Sequence, residues 1–275
     1  MSEVPTTSGI PPETVPPPPP KKLLGKKLFL VIGLIAIVAV ASVFALMYLM
    51  PKGLGAPVSL GMNYSEGEIM TYDADITISA MGRTVTQSGT IKLEILDFDG
   101  VNYTIRETVS SDSQQVSFTI KMNKTGHIID FSNLPPEVQQ TFSSFVGTPG
   151  FGGYFPRTMA RVGESWQIPL DIHAGGFSME GTGSYGISGI TSITIPAGTY
   201  TVFRMDITAA NIHGTYSSEG TTVSMVASMS AYVYMENATC VPVEISVQES
   251  ATVSYSGQTV GMSMTILIRL KEHTK

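Results

Sequence analysis

The sequence predicts a mainly β fold, in which one transmembrane helix is followed by a curved antiparallel sheet or half-barrel with one packed helix. Three observations predict it. Apolar and polar residues alternate over most of the chain after Leu60, as in strands with one buried face. An uncharged apolar run, Leu28–Met50, precedes that region. One later segment, 135–146, has helical rather than alternating spacing.

The first 27 residues are predicted to be a disordered cytoplasmic tail. They are rich in Pro, Ser and Thr and contain few large apolar residues before Leu23, so they cannot bury enough surface to offset the entropy of ordering. Pro16–Pro20 favours a polyproline II rod, which is either a spacer or a docking motif for a partner that binds Pro-rich segments.

The apolar run that follows is predicted to be a membrane anchor. Its 23 residues would span about 34 Å as a helix, enough to cross the hydrocarbon core, whereas the apolar part of a cleaved signal is shorter. Four lysines lie just before the run, and Lys52 alone lies just after it. The basic side stays in the cytoplasm, so residues 51–60 are predicted to be a linker and 61–275 an extracellular domain.

Four N-x-[ST] sequons support this placement, because all of them follow the apolar run. Coincidence in a chain rich in Ser and Thr is the alternative explanation. Alternation places Asn102 and Asn123 on the polar faces of their strands, where a glycan needs to be. The predicted glycosylation candidates are Asn63, Asn102, Asn123 and Asn237.

The outer region reads as a β-meander. Around a turn at Met81-Gly82, the segment MTYDADITISAM alternates with a period of two, and DFDG at Asp97–Gly100 makes a second turn. The same pattern returns in the second half and is longest near the C-terminus. The alternating apolar positions there include Phe203, Met205, Ile207, Val243, Ile245, Val247, Met264, Ile266 and Ile268.

The exception to this alternation is SNLPPEVQQTFSSFVG. Ser132 or Asn133 can cap a helix, and Gly147 can end it. The spacing predicts an amphipathic helix over 135–146, which would be either a mobile lid over an apolar cavity or a simple cover of the core. Its candidate lid residues share one helical face: Val138, Phe142 and Phe145.

Composition excludes several functional classes. After Lys52 the chain has 11 bases and 20 acids, which argues against nucleic-acid binding. Cys240 is the only cysteine, so no intrachain disulfide can form. The four histidines lack the spacing of a metal site, and no catalytic motif is present. We therefore expect no metal, no cofactor and no enzymatic activity.

Two stretches carry a resemblance to a known family. Arg161–Leu170, RVGESWQIPL, and Ile193–Ile207, ITIPAGTYTVFRMDI, precede a Pro-Val-Glu segment at Pro242–Glu244. Together they resemble uncharacterised exported domains with a lipoprotein-localisation-factor-like half-barrel, over about residues 155–250. The resemblance implies a strongly bent antiparallel sheet around a helix, and either the binding of a lipid or other apolar ligand or a purely structural role. It brings no catalytic residues.

The resulting functional prediction is a non-enzymatic, single-pass surface protein. Its β-rich extracellular domain would bind an apolar ligand, such as a lipid, or a protein partner. The alternative is a structural or assembly component of a cell-envelope complex without a small ligand. A ligand binder predicts an apolar cavity between sheet and helix, whereas a structural module predicts a filled core and an exposed apolar patch.

Overall fold

The computed structural model describes residues 55–111, 114–134, 159–174, 177–218, 221–255 and 258–275. Every regular element in these residues is a β-strand. The strands are β1 Pro57–Ser59, β2 Ile69–Ala80, β3 Arg83–Phe98, β4 Asn102–Ser111, β5 Gln114–Asn123, β6 Ile128–Ser132, β7 Met159–Arg161, β8 Ser165–Ala174, β9 Phe177–Ile195, β10 Gly198–Ser218, β11 Thr221–Glu236, β12 Pro242–Tyr255 and β13 Gln258–Thr274.

Eleven of these strands form one antiparallel sheet in the order β6-β5-β4-β3-β2-β13-β12-β11-β10-β9-β8. Two meanders, β2–β6 and β8–β13, are joined where β13 pairs with β2. The short strands β1 and β7 pair with each other in a second sheet. The turn after β2 shows how the sequence directs the meander: Met81 and Gly82 both have positive φ, as a two-residue hairpin turn with the twist of the strands requires.

Because neighbouring strands are antiparallel, alternate connections lie at opposite ends of the sheet. We call one end the tip. There the last pairs of five hairpins lie, Ala80–Arg83, Ser111–Gln114, Ala174–Phe177, Ser218–Thr221 and Tyr255–Gln258. The opposite end is the base, where β2 begins and β13 ends.

One face of the sheet, which we call the inner face, is buried in the half of the sheet next to the base. On β12, Val243, Ile245 and Val247 are buried, whereas Glu244 and Ser246 between them keep partial contact with solvent on the outer face. Trp166 of β8 stacks on Tyr185 of β9 with ring centroids 5.6 Å apart. The same base core contains Met70, Tyr72, Ile95, Tyr103, Ile105, Phe203, Met205, Ile207, Val233, Met235, Ile266, Ile268 and Leu270.

An extended segment closes the base. Val58, Leu60, Met62 and Tyr64 are all buried. The segment is hydrogen-bonded to a turn of each meander. The Met62 amide donates to the Lys124 carbonyl after β5 (2.8 Å), and the Tyr64 hydroxyl donates to the Cys240 carbonyl after β11 (3.4 Å). The core is therefore filled at this end by residues 58–64, and two of its buried side chains, Val58 and Leu60, belong to the range predicted as a linker.

The sheet bends at the hairpin that joins β9 to β10. This hairpin lies against β13, although β11 and β12 separate β10 from β13 in the strand order. The Tyr200 ring stacks on His273 of β13 with centroids 6.3 Å apart. Irregularities in register between Arg204 and Met205, and between Leu270 and Glu272, interrupt the ladders on these strands, as bulges do where a sheet bends.

The predicted fold class is wrong where it combined the sheet with helices. The described residues are all β and contain no helix, and none of them provides a helix long and apolar enough to cross a membrane. The physical reason is that two-residue alternation runs through nearly all of this part of the chain, and an extended segment rather than a helix fills the base. The predicted spans 28–50 and 135–146 lie outside the described residues.

Candidate functional site

The most unusual feature of the sheet is that its apolar face continues beyond its core. Towards the tip, most inner-face positions are still apolar, with polar exceptions such as the exposed Gln87, but their burial falls away. Val85 is 56% exposed, Val109 37%, and Tyr216 46%. We call these residues the inner tip surface, together with the exposed Val116 and the half-buried Ile78, Ala80, Met225, Val253, Val260 and Met262.

Register confirms that these residues share one face with the base core. Ile78 pairs with Val85 on β3 and with Met264 on β13, and Val109 pairs with Val116. Met225 pairs with Val253. Since side chains alternate between faces, each of these positions lies on the same side of the sheet as a buried residue of its own strand.

The outer face of the tip is held together by cross-strand hydroxyl pairs instead of a core. Ser79 Oγ lies 2.8 Å from Thr84 Oγ1, and Thr108 Oγ1 lies 3.0 Å from Ser117 Oγ. Such pairs stabilise a sheet modestly and favour β-structure without burial. Further hydroxyl pairs are Thr77–Thr86, Ser178–Thr215, Ser217–Thr222 and Ser254–Thr259.

Two carboxylates mark the boundary between the filled base and the open tip. Glu107 lies on the inner face of β4, between Leu93 and Phe118 of the neighbouring strands. Glu249 lies on the inner face of β12, between the buried residues Met229 and Met264. Both carboxylates are half-buried among apolar side chains.

Their surroundings change how readily these carboxylates ionise. Burial raises the pKa of Glu107 to about 7 and also raises the pKa of Glu249, because an apolar setting disfavours the charged form. Neither carboxylate forms a hydrogen bond or ion pair within the described part of the chain. The other carboxylates there that are not fully exposed do have partners; Glu244, for example, accepts a hydrogen bond from Arg269 Nε at 2.7 Å.

The base holds a second cluster of ionisable groups, centred on Glu68. Its Oε1 lies 2.6 Å from His273 Nε2, and its Oε2 accepts a hydrogen bond from the Ser65 amide at 2.7 Å. The side chains of Glu68 and His273 are 1% and 4% exposed. The pair joins the end of β13 to the segment before β2, and its burial leaves no room for a ligand. We interpret it as a structural clasp.

A small cleft lies on the outer face near the turn between β9 and β10. Its volume is about 210 Å³. Its charges already have partners, since Lys271 Nζ lies 3.1 Å from Asp73 Oδ1 and Ser88 donates to Asp75. It therefore needs no ligand to satisfy them. The lining residues are Asp73, Asp75, Pro196, Leu267, Arg269, Leu270 and Lys271.

The four sequon asparagines differ in their surroundings. Asn63 is exposed. Asn102 and Asn123 are half-buried and lie opposite each other on β4 and β5, and Asn123 Oδ1 accepts from the Thr125 amide, the Thr125 hydroxyl and the His127 amide. Asn237 is half-buried in the turn after β11. The predicted lid residues Val138, Phe142 and Phe145 lie outside the described residues, and no group of metal-ligating side chains occurs in the described ones.

Sequence reasoning missed the two boundary carboxylates, although a signal for them exists. After Val243, Ile245 and Val247, the next position with the same parity is Glu249, and after Tyr103 and Ile105 it is Glu107. A charged residue at an apolar position of an alternating strand is the signal. The open tip surface has no such signal, because Val85 and Val109 fit the same alternation as buried residues.

Three solved structures to which the chain is similar are described as exported proteins or lipoproteins. One is a protein of Bacteroides fragilis described as exported with a YmcC-like fold, at 9% identity, covering 79% of this chain and 100% of that chain, with a TM-score of 0.30. Another is described as a lipoprotein of Parabacteroides distasonis, at 8% identity, covering 79% and 99%, with a TM-score of 0.34. The third is the hypothetical lipoprotein YmcC of Escherichia coli, at 9% identity, covering 71% and 83%, with a TM-score of 0.22.

These neighbours are described as the exported kind of protein that the family resemblance implied, and the single-pass anchor of this chain stays a prediction. No protein-family model and no curated protein matches the chain. TM-scores this low carry no argument about function, which must rest on the chain's own residues.

Proposed function

We propose that this protein is a non-enzymatic, exported surface protein whose β domain binds an apolar ligand on the inner tip surface. The observation that carries the proposal is the continuation of the apolar inner face past the core, where Val85, Val109 and Val116 remain exposed. Val109 and Val116 lie opposite each other, whereas Val85 lies beside Ile78 farther along β3. Exposed apolar surface costs free energy in water, and large patches of it are typical of binding sites.

The chemistry of this surface favours binding over catalysis. The inner tip surface is built from aliphatic, methionine and tyrosine side chains, with Arg83 at the tip hairpin and the two separate carboxylates Glu107 and Glu249 on the side of the base. Within the described residues, neither carboxylate is hydrogen-bonded to a histidine, serine or cysteine that could form a nucleophile–base pair, and Cys240, the only cysteine of the sequence, is buried at the base. A site of this kind can hold an alkyl chain by burial alone.

For location, we propose attachment to the membrane through the apolar segment 28–50, with a single pass, the N-terminus in the cytoplasm and the β domain outside. The support is the lysine asymmetry around that segment and the four sequons after it. Asn63, the exposed sequon, is then the preferred acceptor for a glycan. Intact-mass measurement should show a glycan that the Asn63→Gln variant loses, and a mass equal to the bare chain would contradict this location.

The proposal is tested by photolabelling the full chain in nanodiscs with a diazirine-bearing hexadecanol. Labelling should saturate, and proteolysis with mass spectrometry should place it on β3, β4 and β13 near the tip. The double variant Val109→Ser/Val116→Ser should lose most of it. A matched variant on the outer face, Thr108→Ala/Ser117→Ala, should keep it. Non-saturating labelling, or labelling equal in all three proteins, would contradict ligand binding here.

The alternative, a structural component of an envelope complex, has one specific observation in its favour: the base core is filled. In that case the inner tip surface would contact another protein rather than a lipid. Chemical crosslinking of the full chain in its native membrane would then join tip residues to one recurring polypeptide, and the hexadecanol probe would not label the tip.

A further inference from the structure

The charges of the two faces of the sheet are distributed very differently. The strand cations Lys92, Arg106, Lys121 and Arg204 all lie on the outer face, where Arg106 pairs with Glu94 and Arg204 with Asp206. On the inner face of the described strands, the bases are His273, which is buried against Glu68 at the base, and Arg83, which is exposed at the tip hairpin of β2 and β3.

The inner face instead carries two acids without partners. Glu107 lies directly before the exposed Val109 on β4, and Glu249 lies one inner-face residue, the buried Ala251, before the half-buried Val253 on β12. Three strands separate the two carboxylates, and each is flanked by apolar side chains on both neighbouring strands. A half-buried carboxylate without a counter-charge is costly when it is ionised. An alkyl chain lying on the tip surface would bury these groups further, so the head group of the ligand decides whether that burial is favourable.

From this asymmetry we propose that the ligand is an amphiphile with a positively charged amine head group, which pairs with one of the two separate carboxylates, Glu249 or Glu107, while its alkyl chain lies on the inner tip surface. The inference rests on the proposed apolar-ligand function and specifies its ligand class. Charge complementarity supports it, because an anionic head group would meet two acids and no base near the boundary. A cationic head group supplies, at either position, the partner that the carboxylate lacks.

The state of the two carboxylates links this binding to pH. Burial raises the pKa of both groups, to about 7 in Glu107, so the ionised fraction of Glu107 rises between about pH 5 and pH 8. A head group with a permanent charge binds the ionised form, and its binding therefore strengthens over that range. The groups that face Glu107 from β3 and β5 are Leu93 and Phe118, and those that face Glu249 from β11 and β13 are Met229 and Met264. None of these four neighbours titrates; among the described residues, the ionisable side chain that interacts electrostatically with Glu107 is Tyr72 of β2, whose pKa is raised by burial, so that it stays neutral over this range.

The test compares three photoreactive probes with the same diazirine-bearing hexadecyl chain and different head groups: trimethylammonium, hydroxyl and sulfonate. None of these heads titrates between pH 5 and pH 8. With the full chain in nanodiscs of zwitterionic lipid, the ammonium probe should label the tip at lower concentration than the alcohol, and the alcohol at lower concentration than the sulfonate. From pH 5 to pH 8, the half-saturating concentration of the ammonium probe should fall.

Conservative variants separate the head-group contact from the apolar surface. Glu249→Gln should raise the half-saturating concentration of the ammonium probe roughly tenfold, the usual effect of losing a hydrogen-bonded charge partner. Glu107→Gln should reduce the change in that concentration between pH 5 and pH 8. Neither change should weaken labelling by the alcohol. The matched control is Glu180→Gln, which removes the same charge from an exposed position on the outer face of β9 and should leave all three probes unaffected.

The outcomes distinguish the two proposals. Saturable labelling of the tip by all three probes with equal half-saturating concentrations, unchanged in Glu249→Gln, would overturn the amine head group and leave apolar-ligand binding standing. A preference for the sulfonate would overturn it as well. Absence of saturable labelling by any probe would overturn the proposed function itself. The fluorescence of Trp166, the single tryptophan and a buried one, shows that each variant is folded.

Discussion

The base and the tip of the sheet are made by the same strands with the same alternation, yet they differ in what covers them. At the base, Phe203, Met205 and Val233 are fully buried, and the segment around Tyr64 closes the end of the sheet. At the tip, Val85 and Val109 occupy equivalent inner-face positions and remain exposed. The difference shows that alternation defines which face is apolar, whereas other parts of the chain decide how much of that face is core.

Strand length explains how the two halves arise. β10 has 21 residues and β9 has 19, several times the usual strand of about 5–6 residues. The segment that fills the base, residues 58–64, is too short to cover such strands along their whole length. The hydroxyl pairs on the outer face maintain the tip hairpins where a core does not. The two halves should therefore respond differently to mutation.

The largest expected difference comes from matched truncations on the inner face. Phe203→Ala at the base should lower the free energy of unfolding by about 4 kcal/mol, because it leaves a cavity in a packed core. Val85→Ala at the tip should lower it by less than about 1 kcal/mol, since this side chain already contacts water. Urea unfolding followed by Trp166 fluorescence measures both. Equal losses would show that the tip is as well packed as the base.

Removing the clasp at the base should have the next largest effect. His273→Ala leaves Glu68 buried without its partner, which should cost about 3 kcal/mol of unfolding free energy. The control is Lys271→Ala, which breaks the exposed pair with Asp73 two residues away and should cost less than about 1 kcal/mol. Comparable losses in the two variants, measured by urea unfolding, would contradict the role of the buried pair.

A smaller, pH-dependent effect is expected at the boundary. Because Glu107 has a raised pKa in the folded state, it opposes folding above its unfolded pKa, increasingly up to about pH 7 and constantly above. Glu107→Gln should therefore raise the free energy of unfolding at pH 8 by about 1 kcal/mol, after allowing for solvent contact, and have little effect at pH 4. Unfolding curves at both pH values measure this, and a variant less stable than wild type at pH 8 would contradict it.

The smallest effect on stability is expected from the hydroxyl pairs of the tip. Thr77→Ala, which removes the pair with Thr86 on the outer face, should lower the unfolding free energy by about 0.5 kcal/mol or less. Amide hydrogen exchange should nevertheless increase locally at the ends of β2 and β3, since no packed core protects them. An unfolding free energy reduced by several kcal/mol would mean that these pairs, rather than the base core, hold the sheet.

How much of this could be predicted from the sequence differs between features. The strands around Met205 and Ile245 were predictable, because their period-two pattern is long and regular. The filling of the base by Leu60 and Tyr64 was not, since burial of an irregular segment depends on contacts with distant residues such as Cys240. The exposure of Val109 could not be predicted from the sequence either, because the alternation around Val109 is the same as in a strand of the core.

The most direct test of the account is the reactivity of single cysteines introduced on the inner face. The native chain contributes almost no background, because its one cysteine, Cys240, is buried and burial raises the pKa of its thiol. In the full chain, Val85→Cys and Val109→Cys at the tip should react quickly with a maleimide, Met205→Cys at the base should not, and the long-chain trimethylammonium amphiphile should slow only the tip reactions. Slow reaction at Val85→Cys and Val109→Cys without any amphiphile, or equal rates at tip and base, would contradict an open apolar surface beyond a filled core.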